Sequence, residues 1–213
     1  MAAATQPSPA EATSRARPTV GPEHHGLAMD FDEFTRADFQ EGWLYELARG
    51  IVIVTRVPEI RHGMAVARIN VLFVTYEMAH PSLINYRAGR GYCCIRLPVI
   101  KSSRRPDHAV YLYPGPKGPD PWSRWTPQIV IEVIGRGSED RDYVEKREEY
   151  LRAGVSEYWI LDPVRRRMLI LLRLGDTWEE HPLGEGGIHR TELLPGLEVR
   201  VGELLGPPEP EDE

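Results

Sequence analysis

The alternation of apolar and polar positions predicts that short β-strands make up much of the chain. Gly50 marks a turn before the first clear strand, and Asp162 with Pro163 marks the turn of a later hairpin. The predicted strands are, in chain order, GIVIVTRV, YCCIRLPVI, HAVYLY, QIVIEVI, EYWILD, RMLILLRL, a weaker one near TWEEHPL, and the closing segment LPGLEVRVGELL.

Three segments have the pattern of helices instead. Residues 32–39, DEFTRADF, predict a short amphipathic helix, and residues 61–80 predict a longer one. Ser138 is the predicted N-cap of a third helix, which runs through DYVEKREEYLRA and ends at Gly154. The residues whose helical spacing indicates the longer helix are Met64, Ala67, Ile69 or Val71, Leu72, Thr75 and Met78.

The order of these elements indicates the fold class. Residues 114–127 separate two of the strands and are predicted to form a loop, because the segment PGPKGPDPWSRWTP contains five prolines. The remaining order is helix, strand, helix, several strands, helix and strands. This order predicts a mixed α+β or α/β domain in which a central mixed β-sheet is flanked by helices.

The length and the composition indicate one domain with two tails. The chain has 213 residues, and its hydrophobic fraction of 41% is enough for one packed core. Residues 1–26 are rich in Ala, Pro, Ser and Thr and lack the apolar centre of a signal peptide, so we expect a disordered tail. Residues 27–206 then form the single domain, and residues 207–213 form an acidic tail.

The cysteines and the lack of long apolar runs indicate the compartment. Cys93 and Cys94 are adjacent, which excludes a CxxC redox motif. Adjacent side chains of a strand point to opposite faces, so we expect no disulfide between them. No run approaches the roughly 18 apolar residues of a membrane span. These features predict a cytoplasmic protein that does not contact a membrane.

The charge is unevenly distributed along the chain. The formal net charge is −6, so the field of the whole molecule does not favour nucleic acid. The segment 78–106 nevertheless contains no Asp or Glu, and it is either an ordinary solvated surface or a surface that faces phosphates. If nucleic acid binds there, its affinity should be sensitive to salt. The cations of this basic stretch are Arg87, Arg90, Arg96, Lys101, Arg104 and Arg105.

Asp107 and Glu132 are acidic residues at positions where strands should be hydrophobic. Glu132 interrupts the run QIVIEVIG, and a run that is apolar on both faces predicts a covered central strand. An ionised carboxylate in such a strand costs free energy unless it is paired or binds a metal. Asp107 opens a strand that could lie beside that of Glu132. Two carboxylates, a main-chain carbonyl and water would form the oxygen-rich site that Mg²⁺ prefers.

Lys146 is one of only three lysines, against 23 arginines, and follows the Glu132 strand in the predicted helix. A compact ammonium could be required at this position. The alternative is a surface pairing with Asp142, four residues earlier. For Glu132, the alternative to a metal site is a buried ion pair with an arginine. The residues alone leave these alternatives open.

The stretch from Arg105 to Pro163 resembles the Uma-type restriction endonuclease family, which is part of the PD-(D/E)XK nuclease superfamily. The motifs that carry the resemblance occur in order as PD, EV, RD with the later K and Y, GV.EYW, and DP. Weaker similarity extends back to YELARGIVIV and forward to LPGLEVRVGELL. The chain departs from the family at IGRGS, where Gly135 and Arg136 replace the Ser-Pro found in many members.

The resemblance implies catalytic roles for four residues. The superfamily aspartate falls on Asp107 and the glutamate on Glu132. The usual lysine position, two residues after the glutamate, holds Ile134, so the family takes its lysine from the following helix, at Lys146. Glu46 matches an acidic family position that joins the site from the N-terminal side.

The resemblance also implies a cofactor and a substrate. Asp107, Glu132 and the carbonyl of Val133 would hold Mg²⁺, or Mn²⁺ in its place, in a metal-dependent endodeoxyribonuclease that hydrolyses phosphodiester bonds. The implied partner is nucleic acid, with DNA as the expected substrate. The residues assigned to substrate contact are His62, Arg104, Arg105 and Tyr150, with packing as the alternative for Tyr150.

Two other functions are consistent with the sequence. The nuclease fold could be kept as a catalytically silent nucleic-acid-binding or regulatory module, although the retention of Asp107, Glu132 and Lys146 favours an enzyme. A structural oligomer would leave the two carboxylates unexplained. The apolar hairpin of EYWILD and RMLILLRL could form a subunit contact in a homodimer or be buried within the domain.

Overall fold

The computed structural model describes residues 17–56, 59–89, 91–118 and 120–208. Its α-helices are α1 (Phe31–Arg36), α2 (Ile60–Ala79), α3 (Lys146–Ala153) and α4 (Val201–Leu205), and a π-helical segment, Arg141–Glu145, leads directly into α3. Its strands are, in chain order, β1 (Thr19–Val20), β2 (Asp38–Phe39), β3 (Trp43–Ala48), β4 (Ile51–Arg56), β5 (Tyr86–Gly89), β6 (Ile95–Leu97), β7 (Ser102–Arg104), β8 (His108–Tyr111), β9 (Ile129–Val133), β10 (Glu157–Asp162), β11 (Arg167–Leu174), β12 (Thr177–Gly184), β13 (Ile188–Arg190) and β14 (Glu198–Arg200).

The central element is a six-stranded mixed sheet with the order β12-β11-β10-β9-β8-β5. Strands β9 and β10 are parallel, and the other neighbouring pairs are antiparallel. The parallel pair is possible because the helix α3 connects β9 to β10. The predicted mixed sheet and the predicted hairpin of β10 and β11 are both confirmed.

Helices cover both faces of this sheet, which explains why β9 is apolar on both sides. Ile131 and Val133 face α2 and α4 in one core cluster, whereas Val130 faces the other cluster, which contains Tyr150 of α3. Every residue of β9 is buried, including Glu132. The covered central strand that the run predicted is therefore present, and a carboxylate does lie within it.

A second, four-stranded antiparallel sheet has the order β4-β3-β7-β6. It has its own small core, in which Tyr45, Leu47 and Val52 pack with Phe34 of α1. Strand β3 carries Glu46 and β7 carries Arg104, and both residues are buried. This sheet therefore brings two charged side chains from distant parts of the chain towards α3.

The helix predicted over residues 61–80 is confirmed as α2, but its buried face differs from the one the spacing indicated. Met64, Val71 and Met78 are exposed. The buried residues of this helix are His62, Ala65, Ile69, Phe73 and Tyr76. The spacing failed because apolar residues occur on several sides of this helix, so that periodicity alone did not select the face. None of the helices in the described ranges has the length and apolarity needed to cross a membrane.

Our prediction of a disordered tail over residues 1–26 extends too far, because residues from 17 onwards belong to the described fold. Residues 1–16 lie outside the described part of the chain, but β1 pairs with β2 in parallel, and Val20 is fully buried against the small core. The apolar content of this segment is low, so its composition did not reveal that Val20 is buried. At the other end, α4 stops at Leu205, and residues 209–213 of the predicted acidic tail lie outside the described residues.

We expect Val20→Ala to lower the free energy of unfolding by about 1–3 kcal/mol, because it removes buried methyl groups from the small core. Thr19→Ala on the same strand is the matched control, since Thr19 is exposed, and it should change stability by less than about 0.5 kcal/mol. Urea denaturation measures both values. Equal stability of the two variants would place residues 17–26 outside the folded domain after all.

Candidate active site

The strand register brings Asp107 and Glu132 together. Strands β8 and β9 are antiparallel and pair His108 with Ile131, so the next step along both strands sets Asp107 beside Glu132. Asp107 exposes 2% of its surface and Glu132 exposes none. The two acidic residues singled out in the sequence therefore lie at the same end of the central sheet, in a setting that screens charge poorly.

The contacts that hold Asp107 include one from the main chain and one from a side chain. Its Oδ2 atom accepts a hydrogen bond of 2.9 Å from the amide of Val133 and lies 3.0 Å from Nε2 of His62. His62 is in the first turn of α2 and is itself largely buried. The contact fixes the Asp107 carboxylate between the two central strands and the start of α2.

Glu132 is held from the helical side of the sheet. Its Oε1 atom lies 2.9 Å from Nζ of Lys146 and accepts a hydrogen bond of 2.6 Å from the hydroxyl of Tyr150. Burial raises the pKa of the Glu132 carboxyl above its ordinary value, the Lys146 ammonium lowers it, and the Asp107 charge raises it again. The ionised form of Glu132 therefore depends on Lys146.

Lys146 is the cation at the centre of this acidic cluster. It exposes 1% of its side chain, so the alternative of a plain surface pairing is wrong, although the pairing with Asp142 is present. A buried ammonium is expensive unless several oxygens surround it. Its Nζ atom lies among three carboxylates, 2.9 Å from Glu132 Oε1, 2.9 Å from Asp142 Oδ1 and 3.7 Å from Glu46 Oε1.

The start of the third helix sets the position of Lys146. The helix begins after Ser138 as predicted, but the Ser138 hydroxyl accepts from the amide of Gly135 instead of capping the helix. The amide of Asp142 donates to the carbonyl of Ser138, and the amide of Lys146 donates to Arg141, five residues earlier. Such π-helical turns are rare and occur often at functional sites.

Glu46 connects the second sheet to this cluster. Its Oε1 atom accepts a hydrogen bond of 3.0 Å from the amide of Arg105, and its Oε2 atom lies 3.4 Å from Nη1 of Arg104. It also faces Lys146 from the side opposite to the central sheet. The structure therefore brings together all four residues to which the resemblance assigns catalysis.

Arg104 is a buried structural cation, so its predicted contact with substrate is wrong. Its side chain is fully buried and forms two hydrogen bonds with Glu149 of α3, at 2.6 and 3.0 Å. The carboxylate of Glu145 also lies 3.2 Å from Nη2 of Arg104. These carboxylates raise the pKa of the guanidinium further above its ordinary value, against the effect of burial. Arg104 therefore joins β7 to the helix that carries Lys146.

Tyr150 is also buried and cannot contact a substrate in this structure. It is fully buried and its hydroxyl donates to Glu132, so the packing alternative describes it better than the assignment to substrate contact. Burial raises the pKa of Tyr150 well above its ordinary value, and the neighbouring Glu132 charge adds to this. The phenol therefore keeps its proton and acts as a hydrogen-bond donor to Glu132.

Two further arginines of the basic stretch form ion pairs with carboxylates of the same chain. Arg87 pairs with Glu77, and Arg96 pairs with Asp120. Arg105 is half-buried, with its guanidinium carbon 5.9 Å from the centre of the Phe39 ring. Of the two interpretations of this stretch, Arg87 and Arg96 do not support a surface that faces phosphates, because both pair within the chain, and Arg90 lies outside the described residues.

A cleft opens beside the acidic cluster and is lined by residues from four parts of the chain. It has a volume of about 1280 Å³ and includes His62, Val133 and Asp142, which ties it to the site. Sequence reasoning missed its arginines because they come from two distant segments of the chain, neither of which is a basic run. The arginines that line the cleft are Arg56, Arg61, Arg136 and Arg141.

The residues at the sheet end fit a divalent cation in their chemistry. Asp107 and Glu132 supply carboxylate oxygens, which are the ligands that Mg²⁺ prefers, and Mg²⁺ usually keeps several waters. In the described ranges, no three His, Cys, Asp or Glu side chains are arranged to hold a metal ion. The remaining ligands of a metal at this end would therefore be main-chain oxygen and water.

We expect Arg104→Met to lower the free energy of unfolding by about 3–5 kcal/mol, because it leaves the buried carboxylate of Glu149 without its strongest partner. The double variant Arg104→Met with Glu149→Leu should recover most of this loss, since both charges are gone. Arg152→Met on α3, the helix of Glu149, breaks an exposed pair with Glu148 and should lower the free energy of unfolding by less than about 1 kcal/mol. If chemical denaturation shows that Arg104→Met lowers the free energy of unfolding no more than Arg152→Met does, the buried ion pairs of Arg104 do not have the predicted effect on stability.

Comparisons with known proteins identify the family and the fold of this chain. A family model described as "Uma2: Putative restriction endonuclease" matches residues 31–202. A crystal structure of a protein described as a putative nuclease of DUF820, from Anabaena variabilis ATCC 29413, has a similar fold, with a TM-score of 0.65 and 16% identity over 83% of this chain and 97% of that chain. A search of curated proteins found no match. Because the family match spans most of the chain, the protein belongs to the Uma2 family, and it has a restriction-endonuclease-like fold.

Proposed function

We propose that this protein is a Mg²⁺-dependent endonuclease that hydrolyses phosphodiester bonds in DNA. The observation that carries the proposal is the buried group of Asp107, Glu132 and Lys146 at one end of the central sheet. Two carboxylates and an ammonium supply the oxygen ligands and the positive charge that phosphodiester hydrolysis uses. The family match supports a nuclease of this type.

Asp107, Glu132 and the main-chain carbonyl of Val133 are the proposed ligands of Mg²⁺, with Mn²⁺ as a substitute. When bound, the ion lowers the pKa of a coordinated water and orients it. The Val133 amide already fixes the Asp107 carboxylate, and Tyr150 fixes that of Glu132. These hydrogen bonds hold the two carboxylates in place before any ligand arrives.

Lys146 is the proposed replacement for the lysine that the superfamily usually has two residues after the glutamate, where this chain has Ile134. The side chain of Ile134 packs in the core cluster on the α3 side of the sheet. Lys146 reaches Glu132 from α3, the helix that connects β9 to β10. In the proposed mechanism its buried ammonium acts through its charge and not by contact with the substrate: it lowers the pKa of Glu132 and offsets negative charge as it develops on the phosphoryl oxygens.

Glu46 and His62 have supporting roles in this proposal. Glu46 faces Lys146 at 3.7 Å and accepts from the Arg105 amide, so it orients the ammonium from the second sheet. His62 lies 3.0 Å from Asp107 and lines the cleft, where one edge of its ring can also meet the substrate.

The direct test is a nuclease assay of the purified protein with Mg²⁺ or Mn²⁺ on DNA and RNA in single-stranded and double-stranded forms. Glu132→Gln is the matched control, because it removes the charge and keeps the size of the side chain. Metal-dependent cleavage of DNA that Glu132→Gln abolishes supports the proposal. Binding without cleavage under every metal would support the catalytically silent binding module instead.

We predict that Lys146→Met lowers the cleavage rate per folded molecule by about 10²-fold or more, as the loss of one electrostatic stabiliser typically does. Lys146→Arg should restore little activity, because a planar guanidinium does not fit the position of an ammonium. The rate must be normalised to the folded fraction from circular dichroism, since loss of a buried cation also destabilises the fold.

Lys117→Met is the matched control for this series. Lys117 is exposed in the proline-rich loop, so its removal changes the net charge by the same amount and should leave the rate unchanged. Folded Lys146→Met with the full metal-dependent rate would show that this ammonium has no part in catalysis.

A further inference from the structure

The cleft beside the active site has a different charge balance from the rest of the protein. Arg56, Arg61, Arg136 and Arg141 line it together with three acidic residues. One of these acids, Asp142, is already countered by a cation that does not line the cleft, because it lies 2.9 Å from Lys146. The other two acids, Glu59 and Glu139, face four arginines. A chain of net charge −6 therefore has a locally positive cleft, which favours an anionic ligand there.

Arg141 is the cleft arginine nearest in sequence to the acidic cluster. It opens the π-helical segment and directly precedes Asp142, whose carboxylate holds Lys146. Among the residues that the structure describes, its buried Nε atom has no hydrogen-bond partner. A buried donor without a partner costs free energy, and an acceptor that enters the cleft would relieve this cost.

The π-helical turn explains how Arg141 and Lys146 can have different surroundings on one helix. The amide of Lys146 donates to the carbonyl of Arg141, which inserts an extra residue into the turn. Asp142 and Lys146 remain one turn apart and point into the acidic cluster, where both are buried. Arg141 stays half-buried on the cleft side, so the same turn carries the proposed catalytic ammonium and a second cation that faces solvent.

Arg136 provides a second cation from the turn between β9 and the helix. Its side chain is 90% exposed, and its contact with Glu59 is a long one between two exposed groups. Exposed pairs of this kind contribute little free energy, so a phosphate can compete with Glu59 for the guanidinium. Arg136 and Arg141 are therefore two phosphate-compatible cations on one wall of the cleft.

We propose that Arg141 binds a backbone phosphate of the substrate strand at the mouth of the active site, and that Arg136 makes a second phosphate contact on the same wall. This inference rests on the proposed nuclease function and identifies where the strand lies. A guanidinium suits the task because its planar donors match two oxygens of one phosphate.

The test is the salt dependence of binding in the absence of divalent metal. A short fluorescein-labelled DNA duplex is titrated with the full-length protein in EDTA at several KCl concentrations, and anisotropy gives the dissociation constant. Each lost phosphate contact should lower the slope of log K against log salt by about 0.9. We expect that decrease for Arg141→Gln and again for Arg136→Gln, whereas Arg141→Lys should keep most of the slope because it keeps the charge.

Arg190→Gln is the matched control. Arg190 is 65% exposed on β13, pairs with Glu198 and does not line the cleft, so its loss should leave the slope unchanged. Arg136→Gln keeps the test informative even if Arg141→Gln misfolds, because an exposed side chain can be removed without disturbing the core.

Three results would overturn the inference. They are wild-type protein that does not bind the duplex in EDTA, Arg141→Gln with the wild-type slope, and Arg190→Gln with the same decrease as Arg141→Gln. The nuclease assay separates this failure from that of the proposed function, since metal-dependent cleavage with a wild-type slope for Arg141→Gln would leave the enzyme intact and place the strand elsewhere.

Discussion

The structure around the site depends on the burial of carboxylates next to a single ammonium. Glu132 is fully buried within a covered strand, and Asp107 and Asp142 are buried close enough in space for their charges to raise the pKa of Glu132. Such a group of negative charges is unstable without a cation that is equally buried. Lys146 is that cation, and its position requires the π-helical turn, the packing of α3 and the approach of Glu46 from the second sheet.

A second buried cation, Arg104, fixes the helix that carries Lys146. Its contacts with Glu149 and Glu46 join β7, β3 and α3, so that the four-stranded sheet and the central sheet meet at the site. Buried ion pairs of this kind add little net stability compared with apolar packing, but they specify one arrangement of their partners. The two cations therefore have different roles. Arg104 orients β7, β3 and α3 relative to one another, and Lys146 faces the carboxylates at the sheet end.

The central strands and their acidic residues could be predicted from the sequence, because a carboxylate in an apolar run has few stable environments. The role of Arg104 could not be predicted, since a basic run looks the same whether its members are exposed or buried. The cleft arginines were missed for a related reason, because Arg56, Arg136 and Arg141 meet only through the tertiary fold. Val20 shows the same limit at the N-terminus, where one buried side chain anchors a segment of low apolar content.

The most direct test of the central claim is a crystal structure of the protein with Mn²⁺, located by its anomalous scattering. The account predicts one anomalous peak in contact with the carboxylates of Asp107 and Glu132, with the Lys146 ammonium still beside Glu132. A peak at another set of residues would contradict it, as would the lack of any peak at this end of the sheet when Mn²⁺ supports cleavage in solution.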